Sequence, residues 1–318
     1  MAFPLAWTAP CPHNGPSGGE VLETSHAKAL AKGAAAAVSW GASFVAIKVA
    51  LRTLSPLPLV WLRFGLGVGV LGIFAVFRRE KDPLSAREWG LVILLGFLGV
   101  PFHHLIQSTG LKTAQAATSA WIISGMPVFI ALLGRIFLGE RMSRRRWAGL
   151  ALAACGVLLV LTRGNMERLL ARDPQSFGDL LVLLSALNWA VFSVLSRGFL
   201  QKHSAAAMML KVMVSGWVMT TILFLAGWDW EPIFRLDPQG WAAVAFLGVF
   251  CSGLAYVFWY DALKTLPASQ AGVLMYLNPA VATLVAVLGL GEPMTASVVS
   301  GAALIVLGAW QVNRGPGL

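Results

Sequence analysis

The stretch GVPFHHLIQSTG, residues 99–110, sets His103, His104 and Gln107 inside an otherwise apolar run. A histidine there can carry a proton or hydrogen-bond a small solute. His104 and Gln107 lie one helical turn apart, on one face. Two further stretches, TSAWIISGMP (118–127) and AGVLMYLNP (271–279), each end apolar helical sequence on a proline. Pro127 and Pro279 each remove a backbone N–H and free a carbonyl one turn earlier. Thr118, Ser119, Trp121, Ser124, Tyr276 and Asn278 sit beside those kinks and make candidate solute contacts.

Trp40 and Trp189 occupy matching places in two helical runs, with Asn188 beside the second, and could stack on a planar or apolar solute. Lys48 and Arg197 are matched in the same way near the ends of those runs. Long cations in such places commonly snorkel to the membrane surface; the sharper reading is a pair of gates that attract a carboxylate. Two boundary carboxylates, Glu140 in FIALLGRIFLGERMSRRR and Glu292 in LVAVLGLGEPMTASVV, each precede a helix. Pairing with the positive end of that helix is sufficient reason for them, and Pro293 suits its first turn.

Other chemistry is missing from the pattern. No Asp or Glu falls in mid-span, Asp261 standing at a helix end, which argues against a carboxylate proton relay. Coupling would then use a His, a dissipative gradient or exchange with another metabolite. There is no G-x-x-x-x-G-K-[ST] phosphate loop. Cys11, Cys155 and Cys251 have neither metal spacing nor the look of a disulfide framework. No metal and no cofactor is expected.

The elements that must position these residues are membrane helices. The chain has 318 residues, 57% hydrophobic and only 12% charged, with mean hydropathy +0.73. Soluble domains carry about 25% charged residues, so the main solvent here is lipid. The net charge of +10 does not indicate nucleic acid, because the basic residues cluster between apolar runs. Ten helices are expected near 34–53, 59–77, 89–109, 115–134, 147–162, 178–199, 208–227, 241–261, 268–290 and 295–312. Residues 1–33, Pro- and Gly-rich at first, read as a disordered tail without a signal peptide. With the amino terminus cytoplasmic, fourteen Lys and Arg fall on inner segments and six on outer ones, four more lying within spans: Lys48, Arg63, Arg135 and Lys211. That balance places both termini inside, although the connection RGNMERLLARDPQSF (163–177) dissents with three arginines.

A shift of 152 residues carries Pro127 onto Pro279, Leu138-Gly139-Glu140 onto Leu290-Gly291-Glu292, and Gly149 and Gly156 onto Gly301 and Gly308. It also carries His104 onto Tyr256 and Gln107 onto Trp259. A shift of 149 carries Trp40 onto Trp189 and Lys48 onto Arg197. This is an internal duplication. Five spans per copy is an odd number, so the second copy enters the membrane inverted. The arginines that follow Glu140 are absent after Glu292, as the positive-inside rule requires of an outer loop. Gly65, Gly69, Gly72 and the matched glycines of helices 5 and 10 are expected to let helices approach closely.

Two five-helix repeats, each with a central proline and a closing L-G-E, resemble the EamA branch of the drug/metabolite transporter superfamily over residues 34–312. The resemblance implies an all-α integral membrane protein, with a first repeat at 34–162, a second at 178–312 and a tail at 313–318. It implies ten helices around a central cavity that works by alternating access on small metabolites, amino acids and their relatives among them, often exported. The substrate-binding candidates are Trp40, His104, Gln107, Trp121, Ser124, Asn188, Trp189, Tyr256, Tyr276 and Asn278; Lys48, Arg197, Pro127 and Pro279 are the gate and hinge candidates. The expected partners are a small solute, the lipid bilayer, and a proton or an exchanged metabolite. The expected setting is a monomer in the inner membrane. Nucleosides, sugars and organic cations are the alternative cargoes. A lipid-acting membrane enzyme is disfavoured because Asp, His and Arg do not cluster at one membrane face, and a channel because neither charge rings nor a polar pore stripe is evident.

Overall fold

A computed structural model describes residues 18–78, 83–137, 139, 142–169, 173–200, 202–227, 230–266 and 268–313. Every regular element among them is helical. Ten spans follow in order: α1 Gly18–Ala50, α2 Pro56–Arg78, α3 Ala86–Leu111, α4 Ala116–Phe137 and α5 Arg144–Thr162. The second half holds α6 Pro174–Leu200, α7 Ala205–Gly227, α8 Pro238–Leu263, α9 (Ala268–Leu274 then Leu277–Leu290) and α10 Ala296–Asn313. Among the described residues nine helices are long and apolar enough to cross a membrane, and Ala296–Val312 is a shorter tenth. An even number of spans returns the chain to the side where it began, here named the terminal face; the other is the far face.

The expected amino-terminal boundary is corrected. Residues 18–33, assigned to a disordered tail, are the first turns of α1. Ala29 is buried against Ala262 and Leu266, and Lys32 pairs with Asp261 at 3.0 Å. Low Pro content after residue 16 and the alanine-rich run HAKALAKGAAAA explain the helix. Residues 1–17, and 314–318 of the expected carboxyl-terminal tail, lie outside the described residues.

Four spans are not continuous α-helix. α4 breaks at Gly125 and α9 at residues 275–276, so Pro127 and Pro279 fall in the first turn of the segments that follow. Proline is tolerated there because first-turn N–H groups have no helical acceptor. α3 contains a π-helical turn at Leu98–Phe102 around Pro101, and α8 one at Phe246–Leu254. The last five residues of the second are the first shifted by 152. Such bulges turn side chains away from the ordinary helical register and commonly mark functional sites.

Packing partners recur under the same shift. α1 packs on α8 and α9, and α6 on α3 and α4; α2 packs on α8, and α7 on α3; α5 packs on α10. Glycine permits the closest approaches. A Cβ at Gly149 would lie 2.7 Å from Gly308 O, and one at Gly156 would lie 2.6 Å from Gly301 O. The expectation for α2 needs correction: Gly69 and Gly72 face open space, while Gly67 lies against Ser252 of α8, where a Cβ would fall 2.6 Å from the serine Cβ.

Candidate functional site

At the centre, α1, α2, α3, α6 and α8 converge on an aromatic and polar cluster. The π-helical turn of α8 leaves the Cys251 carbonyl free to accept a bond from Trp40 Nε1 at 3.0 Å. The Trp40 ring meets Tyr256 edge-on at 5.3 Å and Trp259 at 5.6 Å. Across the cluster, Asn188 Nδ2 donates to the Leu98 carbonyl in the π-helical turn of α3 at 2.8 Å. Asn188 is thus occupied in holding α6 to α3. Trp189 stacks on Phe192 and tilts against His103.

The two histidines differ. His103 Nδ1 lies 3.1 Å from the Ser185 carbonyl, so that nitrogen carries the proton and donates. His104 is equally buried, yet neither of its ring nitrogens has a hydrogen-bond partner among the described residues. Its ring rests on Phe64 at 4.7 Å and on His103 at 4.7 Å. Gln107, one turn on, is also buried, but no hydrogen bond of standard geometry joins the two.

Beside them lies a residue to which the sequence reading gave no role. Arg63, in α2, is 5% exposed and donates from Nε to Ser252 Oγ at 2.8 Å. Its one visible signal was a lone arginine within an apolar span, a costly placement that calls for a reason.

The kinked helices form a second locus. A cavity of about 260 Å³ lies between α4, α5, α9 and α10. Ser124, Pro127, Tyr276 and Asn278 line it; Pro279 is buried and is not part of the lining. Ala153 of α5, Gly272 of α9 and Val312 of α10 also line it, placing it in the half of the bundle nearer the terminal face. Trp121 joins the two kinked helices by donating from Nε1 to Thr283 Oγ1 at 3.0 Å. Ser124 Oγ is turned back to the Ala120 carbonyl. Trp40, His104, Gln107, Asn188, Trp189 and Tyr256 do not line this cavity, so the ten binding candidates divide between two places.

On the far face Glu292 and Lys48 join the α9–α10 connection, α4 and α1. Gly291 ends α9 in the left-handed conformation, φ 65°, which glycine adopts without penalty. That turn sends Glu292 back into the bundle, 9% exposed. Its carboxylate accepts bonds from the Ala116 and Ala117 amides at 2.8 and 3.0 Å. Glu292 therefore caps α4 rather than its own following helix, which corrects the expectation. Lys48 Nζ lies 3.4 Å from the same carboxylate and donates to the Ala114 carbonyl at 2.6 Å. It is turned inward and does not snorkel. Close by, Arg163 lies 3.7 Å from the buried Asp179, an ion pair too long for a hydrogen bond. Burial pushes the Arg163 guanidinium down and the Asp179 charge opposes that shift. Arg168 donates to Gln175 at 3.2 Å. Two of the three dissenting arginines are thus engaged within the protein, and Arg172 lies outside the described residues. On the terminal face Arg197 is exposed, Gly139 repeats the left-handed turn at φ 68°, and Glu140 lies outside the described residues.

A sequence model of the EamA-like transporter family matches residues 28–162 and again residues 176–314. The chain belongs to the EamA-like transporter family. It is 29% identical over 269 residues to an uncharacterised transporter of Bacillus subtilis, covering 84% of this chain and 88% of that one. It is 27% identical to a probable terminal-alkyne amino-acid exporter of Streptantibioticus cattleyicolor, covering 87% and 90%. It is 29% identical to a probable amino-acid metabolite efflux pump of Salmonella typhimurium, covering 86% and 90%. A solved crystal structure shares the fold with a TM-score of 0.63 at 22% identity, covering 90% of this chain and 98% of that one. This EamA-like chain is a multi-pass membrane transporter.

Proposed function

We propose that this EamA-like transporter exports a small amphipathic metabolite, an amino acid foremost, across the inner membrane by alternating access. Both termini are cytoplasmic in this reading. The observation that carries it is the asymmetry of closure. Glu292 and Lys48 fasten the far face onto the start of kinked α4. The cavity between the kinks lies toward the terminal face. The fold is then in its inward-facing form, with Pro127 and Pro279 as hinges and Lys48 and Arg197 as matched gate cations. The packing partners that recur under the 152-residue shift support two halves related by inversion, each able to take the other's conformation. Arg163, paired with the buried Asp179, does not count as a free positive charge outside, which supports termini on the cytoplasmic side.

The amino-acid assignment draws on the two relatives with such names and on the aromatic cluster. The binding residues in this reading are Trp40, His104, Gln107, Trp189 and Tyr256 centrally, and Trp121, Ser124, Tyr276 and Asn278 at the kinks. Asn188 serves as a brace. A single chain suffices, and coupling runs through His104 or through exchange. The test is counterflow into proteoliposomes preloaded with unlabelled amino acids. Saturable accumulation of labelled amino acid supports the reading; accumulation only of nucleosides, sugars or organic cations would reassign the cargo; chemical alteration of the solute would indicate an enzyme.

A further inference from the structure

Among the described residues Arg63 is the one buried Lys or Arg, and no carboxylate lies beside it. Its side chain is within the apolar part of α2, yet no carboxylate among the described residues pairs with it. The groups that reach it are neutral: Ser252 through Nε, the Phe64 ring 5.4 Å from its guanidinium carbon, and Cys251 and Tyr256 electrostatically. An unpaired charge in a low-dielectric interior is costly and is ordinarily kept for a ligand or a partner. Ser252 occupies one nitrogen only. The two terminal guanidinium nitrogens have no acceptor among the described residues, so their N–H donors are left for a ligand. A planar pair of parallel N–H donors matches a carboxylate in bidentate fashion.

His104 is the second observation. Its ring nitrogens are sealed within the bundle without hydrogen-bond partners, a polar group held in reserve, and it shares Phe64 with Arg63 as a neighbour. Trp40 and Tyr256 supply aromatic surface on the adjoining side. We infer that Arg63, assisted by His104, binds the carboxylate of the transported solute, so that the cargo is a carboxylic acid with an apolar or aromatic body. Ser252 acts as a positioning residue that aims the guanidinium fork. This rests on the transport reading for the word cargo, but the binding itself can be measured without transport.

The test uses full-length protein in detergent and matched pairs of probes: phenylalanine with phenylalaninamide, and phenylacetate with phenylacetamide. Thermal unfolding against probe concentration, at constant ionic strength, gives each apparent affinity. Wild type should bind each acid at least about tenfold more tightly than its amide, the scale of one charge-assisted hydrogen bond. Arg63→Gln should bring acid and amide to equality. Arg63→Lys keeps the charge but not the fork and should lower the acid preference without abolishing it. The inference is overturned if wild type binds amides as tightly as acids, or binds neither. It is also overturned if folded Arg63→Gln keeps the preference. Should Arg63→Gln not fold, an unchanged preference in Arg63→Lys overturns it. Absent counterflow with an intact acid preference would instead sink the transport reading and leave this one standing.

Discussion

Replacing Glu292 should open the far face, and the size of the effect can be worked from the geometry. Its carboxylate accepts two backbone bonds at 2.8 and 3.0 Å and lies 3.4 Å from Lys48 Nζ. Loss of a helix cap costs ~0.5–2 kcal/mol, and breaking one side of a buried ion pair ~3–5 kcal/mol. The two overlap here because one carboxylate does both jobs, and Lys48, 24% exposed, is partly screened by solvent, which lowers the ion pair below the fully buried figure. A combined loss of about 2–4 kcal/mol for Glu292→Ala is therefore expected. At 1.4 kcal/mol per decade, the ratio of far-face-open to far-face-closed molecules rises roughly 30- to 700-fold. Glu292→Gln keeps one acceptor oxygen and should give about half that energy. The assay is Ser119→Cys in a cysteine-free background, labelled by a membrane-impermeant thiol reagent from the far face. Ser119 is fully buried one turn inside α4, so it reports opening with little background. Labelling should accelerate in Glu292→Ala and in Lys48→Ala, and the double variant should add little to either. Equal thermal destabilisation in both variants with unchanged labelling would refute the lock and leave Glu292 a structural cap alone.

Other expectations follow from single contacts. Gly156→Ala would place a Cβ 2.6 Å from the Gly301 carbonyl and should lower the thermal midpoint at a cost of ~1–3 kcal/mol, whereas Gly69→Ala, facing open space, should be silent. Trp121→Phe removes the bond to Thr283 that joins the kinked helices; counterflow kinetics should show a slower maximal rate, and Thr283→Val should reproduce it. Arg197→Ala, at the position matched to Lys48, should shift labelling of Ser119→Cys in the opposite sense, toward slower reaction. Unaltered labelling there would show that the two ends of the transporter are not matched.

The spans were legible because a twenty-residue apolar run has few other fates in a chain so poor in charge. The breaks at Pro127 and Pro279 were legible for a local reason, the missing N–H. The π-helical turns of α3 and α8 were not. Asn188 and Trp40 bond the carbonyls of Leu98 and Cys251 within those turns from other helices, contacts that no local pattern reveals. Lys48 and Glu292 were visible as boundary charges, but sequence spacing offered only snorkelling or the dipole of the next helix. Their meeting depends on α1, α4 and the α9–α10 connection converging, a long-range fact. In the sequence Arg63 is only a charge within a span; that no carboxylate among the described residues compensates it depends on which helices meet around it.

A lock of this strength sets a condition on the rest of the protein. Two conformations that interconvert during transport must lie within a few kcal/mol of one another. Fastening one face by about 2–4 kcal/mol would leave the transporter stalled in that form unless the other form gains a similar amount. The sequence places the means at the mirror positions. Arg197 matches Lys48, Glu140 matches Glu292, and Gly139 adopts the same left-handed conformation as Gly291, whose turn returns Glu292 to the bundle. In the inward-facing reading proposed above, the arginines that follow Glu140 would fix the orientation of the chain, and L-G-E in both copies would give each face its own closing carboxylate.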